Sequence, residues 1–229
     1  MNNVINEWDN AAKSYSESND SSIYSLFCKD FVSEYFSNIK DMKILDAGCG
    51  NGDYTHILTK NGGNVLGCDG SIEMIKIAKE KYPLYKFDNV NLSINLPYKN
   101  NEFDIIFCNL VLMDIDPIDN IVSEFYRILK NNGLLFFSIV HPAFYLGIWE
   151  IDEKGNRISK KISKYITPCE EKQEFWGITT HYHRPISYYF NKLSNIGFIF
   201  NKMFEPKVYE ETKNQDIPLY LFTEFYKKK

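Results

Sequence analysis

The 229-residue sequence is poor in the features that mark several protein classes. Cysteine is sparse. Its five residues (Cys28, Cys49, Cys68, Cys108, Cys169) fall at irregular spacings with no Cys-x-x-Cys pair, which argues against a structural zinc or dithiol motif. Such a set reads as reduced, mostly buried thiols of a cytoplasmic protein. Long hydrophobic runs are missing too. The apolar stretch near the middle, Gly133 to Phe137, falls far short of the ~20 residues that span a bilayer. Met1 to Trp8 lacks the basic-then-apolar order of a signal peptide. Positive charge is not in excess. The net charge of −4 argues against a broad phosphate-binding face, so neither a membrane nor a nucleic-acid partner is expected, although a local basic groove stays open. What the chain has in quantity is aromatic: 17 Phe, 16 Tyr and 3 Trp, more than disordered chains carry. A chain of this length can bury a core without staples, and it reads as one domain over 1–229.

Periodicity divides that domain into an N-terminal helical cover (1–40), a core (43–140), an insert (141–183) and a closing helix with strands (184–229). In the cover, Ile23, Leu26, Phe27, Phe31 and Tyr35 fall on one helical face. Strands are expected at Lys43–Ala47, Val65–Cys68, within Tyr85–Leu92, at Phe103–Cys108 and at Leu134–Val140. The fourth and fifth are apolar on both faces, as in parallel sheets covered by helices. Helices fit Asp53–Lys60, the stretch after Ser71 to about Lys81, and the stretch from Pro117 to the Asn131-Asn132-Gly133 stop. The order β-α-β-α-β-β-α-β makes a doubly wound α/β sheet. The insert mixes Gly, Pro and acidic residues with many aromatics and reads as a segment folded over the sheet. A helix from about Pro185 to Gly197 and strands at Phe198–Phe200 and Pro218–Phe225 close the chain. Lys227-Lys228-Lys229 reads as a solvated tail.

The chemistry points to two places. Asp46-Ala47-Gly48-Cys49-Gly50-Asn51-Gly52 sits where the first strand turns into a helix, at the carboxyl end where open α/β sheets bind ligands. Glycine there reaches positive φ and lets a ligand approach the backbone. The spacing is G-x-G-x-G, whereas a dinucleotide fingerprint places its third glycine at residue 53, which is Asp. An aspartate at the helix start also competes with a pyrophosphate for the same amides. Asp69 follows the second strand directly, at the distance from the loop where an acid reaches a ribose diol. Either element alone is also consistent with a tight turn or a helix cap.

Ile44 to Gly52 resembles the first motif of class I S-adenosylmethionine-dependent methyltransferases, and Gly67 to Ile75 resembles their second. Phe103-Asp104-Ile-Ile-Phe-Cys-Asn109 resembles their fourth-strand motif, and Leu129 to Leu134 the turn that follows. Trp8-Asp9-x-x-Ala12-x-x-Tyr15 resembles a segment over the cofactor in the small-molecule "type 11" group. The resemblance implies a Rossmann-like sheet of seven strands, the last antiparallel. It implies S-adenosyl-L-methionine as cofactor and a small-molecule acceptor. It assigns the amino-acid part of the cofactor to the backbone of Gly48, Cys49, Gly50, Asn51 and Gly52, with Asp46 holding the loop near the methionine amine. Asp69 would take the ribose hydroxyls, Gly70 and Met74 the adenine, Asn109 and Leu110 the methionine end, and Tyr15 its carboxylate. Where the family often has an acidic pair before Leu96-Pro97-Tyr98, this chain has Leu92-Ser93. Ser93, Asp88 and Asn91 are the candidates for the adenine amine.

Methyl transfer from a sulfonium is mainly a matter of position, and a base is needed only when the nucleophile arrives protonated. Candidates on the acceptor side are His141 after the fifth strand, then His183 and Arg184. A His-Pro and a Tyr-His-Arg at these places resemble a subgroup of the same methyltransferases. Each also has a structural reading, a loop lock for His141 and a loop cap for Arg184. His181 reads as a solvent-facing loop residue. Asp114 and Asp116 fit either a substrate contact or the start of the Pro117 helix. No metal site is expected, since His181 and His183 lack a third ligand. Tyr145, Trp149, Phe175, Trp176 and Tyr182 suit an apolar lid. The rival functions are a tRNA-modifying methyltransferase, an NAD-dependent oxidoreductase and a non-catalytic module on the same fold.

Overall fold

The computed structural model describes residues 2–19 and 22–228. Along the chain come α1 (Asn2–Asn19), α2 (Ile23–Tyr35), β1 (Lys43–Ala47), α3 (Asp53–Lys60), β2 (Asn64–Asp69), α4 (Ile72–Lys81), β3 (Lys86–Asn89), β4 (Phe103–Asn109), α5 (Asp119–Ile128) and β5 (Leu129–Val140). The insert adds β6 (Ile148–Ile151), β7 (Arg157–Lys161), β8 (Cys169–Gln173) and β9 (Thr179–His183), and α6 (Ile186–Ile196), β10 (Phe198–Phe204) and β11 (Tyr220–Lys227) follow.

Seven strands form one sheet in the order β10-β11-β5-β4-β1-β2-β3, with β11 antiparallel to both neighbours and β1 to β5 parallel. Alternation sends side chains to two covered faces. Ile44, Ile105, Phe107, Phe136 and Phe222 pack under α2 and α3. Leu45, Ile106, Cys108, Phe137 and Leu221 pack under α5 and α6. Ser71 caps α4 by accepting from the Met74 amide at 3.1 Å. Gly197, at φ +112°, ends α6. No helix of the described residues is long and apolar enough to cross a membrane.

Three local expectations are corrected. The helix after Pro117 stops at Ile128, because the amides of Asn101 and Glu102 take the carbonyls of Arg127 and Ile128. Leu129 then pairs with Phe103, and Asn131-Asn132-Gly133 forms the irregular start of β5. In α2, Cys28, Val32 and the following Phe36 are the buried row, while Ile23 and Leu26 face outward. At the C-terminus, Lys227 is not a solvated residue: it ends β11, and its Nζ donates to Asn101 Oδ1 and the Leu129 carbonyl at 2.8 Å each. Lys229 lies outside the described residues.

Candidate cofactor and acceptor site

Helical connections leave the sheet in opposite directions from β1 and β4, which opens a crevice at their carboxyl ends. Gly48, Gly50 and Gly52 turn the chain there at φ +78°, +52° and +85°. They serve different purposes. A Cβ on Gly48 would meet Val111 at 2.3 Å, and one on Gly52 would meet Phe87 at 2.9 Å, so these two permit close packing. A Cβ on Gly50 would find only the Tyr15 ring, at 3.7 Å. Gly50 therefore keeps space open. Asp69 faces the same space. Its two carboxylate oxygens accept from the Gly50 amide at 2.9 Å and the Ser71 amide at 2.8 Å.

A cavity of about 880 Å³ runs from this loop to the insert, near the top of the ordinary range for ligand pockets, ~300–1,000 Å³. Of the residues assigned to a cofactor from sequence, Tyr15, Gly48, Gly50, Asp69, Gly70, Met74, Ser93, Asn109 and Leu110 line it. Leu110 sits at φ +57°, a conformation rare outside glycine, and its amide donates to the Ser138 carbonyl at 3.0 Å. Asn91 lines the cavity beside Ser93, whereas Asp88 does not. Asp46, Cys49, Asn51 and Gly52 do not line it either. Asp46 is turned beneath the loop, where it accepts from Thr55 Oγ1 at 2.6 Å and burial pushes its carboxyl up to about 7. Asn51 reaches Ser16 and Asp53 instead. Asp53 meets Lys29 at 2.6 Å and Lys81 at 2.8 Å. Burial pushes its carboxyl up, but these cations and the Tyr82 hydroxyl outweigh that and hold it below the usual range.

The N-terminal cover closes the cavity from above. Asp9 in α1 accepts from the Ser71 hydroxyl at 2.6 Å and so ties α1 to α4. Trp8, Tyr15 and Trp176 form an aromatic cluster, with ring centroids 4.9 to 6.1 Å apart. Glu7, one turn before Ala11, receives the Thr180 amide at 2.8 Å and Lys172 Nζ at 2.8 Å, which fastens β8 and β9 to α1. Tyr145, Phe175, Trp176 and Tyr182 of the insert line the cavity, and Trp149 does not. Trp149 lies instead beneath Lys160 and Lys213.

The three side chains singled out for the acceptor side do not line the cavity. His141 is buried, with Nε2 2.7 Å from Glu205 Oε1. His183 Nε2 lies 2.9 Å from the Tyr165 carbonyl. Arg184 donates to the carbonyls of Leu112 (3.1 Å) and Ile115 (2.5 Å) and to Asp116 Oδ1 (2.7 Å). All three lock loops around the site. The residues that do face the cavity are Asp114, in the short turn after β4, and His181 on β9. The reading of His181 as a solvent-facing residue is corrected, for it is 5% exposed. Among the described residues, no group of three metal-ligating side chains gathers.

The family model described as "Methyltransferase domain" matches residues 45–137, the segment that builds this loop and the central strands. A solved putative S-adenosylmethionine dependent methyltransferase from Listeria monocytogenes superposes with a TM-score of 0.71 at 27% identity, over 83% of this chain and 92% of that one. Residues 45–137 thus resemble the methyltransferase-domain family, and the solved neighbour shares the fold across most of the chain. A malonyl-[acyl-carrier protein] O-methyltransferase of Hamiltonella defensa is 27% identical over 68% of this chain and 58% of its own length. A ubiquinone/menaquinone biosynthesis C-methyltransferase of Campylobacter jejuni is 33% identical over 47% and 48%. The chain spans about half the length of the curated relatives it matches.

The cradle fits the family's cofactor. Gly50 leaves room for a ligand against the backbone, and Asp69, held by two amides, keeps oxygen lone pairs free for a diol.

Proposed function

We propose that this chain binds S-adenosylmethionine between the glycine loop and α1 and transfers its methyl group to a small-molecule acceptor seated under the insert. The observation that carries the reading is Asp69 beside Gly50: a carboxylate oriented by two backbone amides, next to a glycine whose missing Cβ faces open space.

When bound, S-adenosylmethionine supplies a methyl group on a sulfonium with a neutral leaving group. The protein's task is therefore binding and alignment. Asp69 accepts both ribose hydroxyls, a charge-assisted pairing. Gly70, Met74, Asn91 and Ser93 border the adenine side, and Gly48, Gly50 and Tyr15 the amino-acid side. Asn109 and Leu110 end β4 toward the methyl group. Trp8, Tyr145 and Trp176 keep water from the reacting centre. Arg184 acts through the 112–116 turn as a positioning residue, and His141 and His183 hold the insert's ends.

Calorimetry with S-adenosylhomocysteine and, separately, NAD tests the proposal. Binding of the first but not the second is expected. A protein that bound NAD, or neither, would overturn the reading.

A further inference from the structure

Four buried side-chain polar atoms have no hydrogen-bond partner among the described residues, and three of them, Ser25 Oγ, Asp114 Oδ1 and His181 Nε2, belong to residues that line the cavity; the last two form a pair. They lie 3.7 Å apart, too far for a hydrogen bond. Leaving a buried polar atom unpaired costs about 1–3 kcal/mol, so two facing each other in a ligand cavity mark a place built for a polar atom from outside. Each has its other side anchored. His181 Nδ1 is 3.4 Å from the Tyr145 hydroxyl, and the Trp8 indole bonds to the Asp114 carboxyl. The walls around them, Trp8, Tyr145 and Trp176, are aromatic.

Burial favours the uncharged form of both groups. Burial lowers the imidazole to about 4, with Glu7 pulling weakly the other way. Burial also pushes the Asp114 carboxyl well above the usual range, and the cationic Arg184 only partly offsets it. A neutral imidazole and a neutral carboxyl can each give or take one hydrogen bond. A single atom that also gives and takes one satisfies both. An ether, a thioether or a methyl cannot.

We propose that His181 and Asp114 form the acceptor's seat, that the acceptor presents a hydroxyl there on a flat apolar body, and that His181 is the proton acceptor. This rests on the methyltransferase reading above. As the acceptor oxygen bonds to the methyl carbon and the carbon–sulfur bond breaks, the hydroxyl proton passes to His181 Nε2. The positive charge lost at sulfur reappears on the imidazolium, beside Asp114. No other reactant is needed.

The test uses phenol and toluene, which differ by a hydroxyl against a methyl, with and without S-adenosylhomocysteine. Phenol should bind about fivefold more tightly than toluene or better, the worth of one buried hydrogen bond. It should move the His181 Nε2 resonance of ¹⁵N-labelled protein, and toluene should not. His181→Phe and, as a near-isosteric second variant, Asp114→Leu should each erase the preference while S-adenosylhomocysteine affinity stays within twofold. Equal binding of the two probes, no binding of phenol, a silent His181 resonance, or a preference that survives both substitutions would overturn the proposal. Loss of S-adenosylhomocysteine binding by the unaltered protein would instead strike the methyltransferase reading, because the phenol preference is also read without it.

Discussion

The two ends of the cavity are built on opposite principles. At the cofactor end the backbone does the holding: Asp69 is gripped by two amides, Leu110 by Ser138, and the glycines open the path. At the acceptor end side chains form the wall, and they come from α1, the turn after β4 and the insert. There two buried polar atoms, on Asp114 and His181, stand without partners among the described residues. A site for a constant ligand can be written into one loop and its strand. A site for a variable ligand is assembled from distant segments, where exchange of a side chain alters chemistry without disturbing the sheet.

Substitutions should separate the two ends. Arg184→Ala strips charged donors from the Leu112 and Ile115 carbonyls, and thermal or urea unfolding should report a loss of about 3 kcal/mol. With the 112–116 turn loosened, phenol binding should weaken as well, while S-adenosylhomocysteine affinity in the folded protein stays within about twofold. Equal loss at both ends would erase the distinction. Asp69→Ala should do the reverse. Cofactor-product affinity should fall by about 1.5–3 kcal/mol in calorimetry, with the acceptor end untouched. An unchanged affinity would remove Asp69 from the site.

Glu7→Ala tests the seam between the ends. Its carboxylate takes the Thr180 amide and hydroxyl and the Lys172 ammonium, so its loss should cost about 1–2 kcal/mol of stability and speed hydrogen exchange in β9 before the central strands. A pH dependence is expected at Asp46. Its carboxyl titrates near 7 when folded and near 3.8 when unfolded, because burial disfavours the charged form. The native state therefore holds the proton more tightly. The Asp46 contribution is fully present below about pH 4 and is lost as pH rises through 7. Asp46→Asn keeps an acceptor for Thr55, so its melting temperature relative to the unaltered protein should rise between pH 5 and pH 8. A difference that does not change with pH would contradict the burial argument.

How much of this could be read beforehand follows the same division. The strands at 43–47 and 103–109 and the helix at 53–60 stand where local pattern places them, because residues a few positions apart decide them. The Ile128 end of α5 was hidden, since it depends on amides from residues 101 and 102. The Asp46 role went astray for a similar reason. A carboxylate in the loop points either up to a ligand or down to α3, and only the position of Thr55 decides. At the acceptor end, His141, His183 and Arg184 stood out by resemblance, yet each is turned to a loop carbonyl or carboxylate. His181, two residues from His183, carries no sequence mark at all. It reaches the cavity because Glu7, far away in the chain, pins Thr180 beside it.

The amino-acid order alone determined the α/β sheet, the glycine turn and the acid after the second strand, since these arise from periodicities and dihedral preferences acting over a few residues. Tertiary structure decided which histidine faces the cavity, which aspartates face inward and which lysine is buried. Those outcomes depend on burial and on partners brought together from remote segments, and no short window of sequence contains both partners of such a contact.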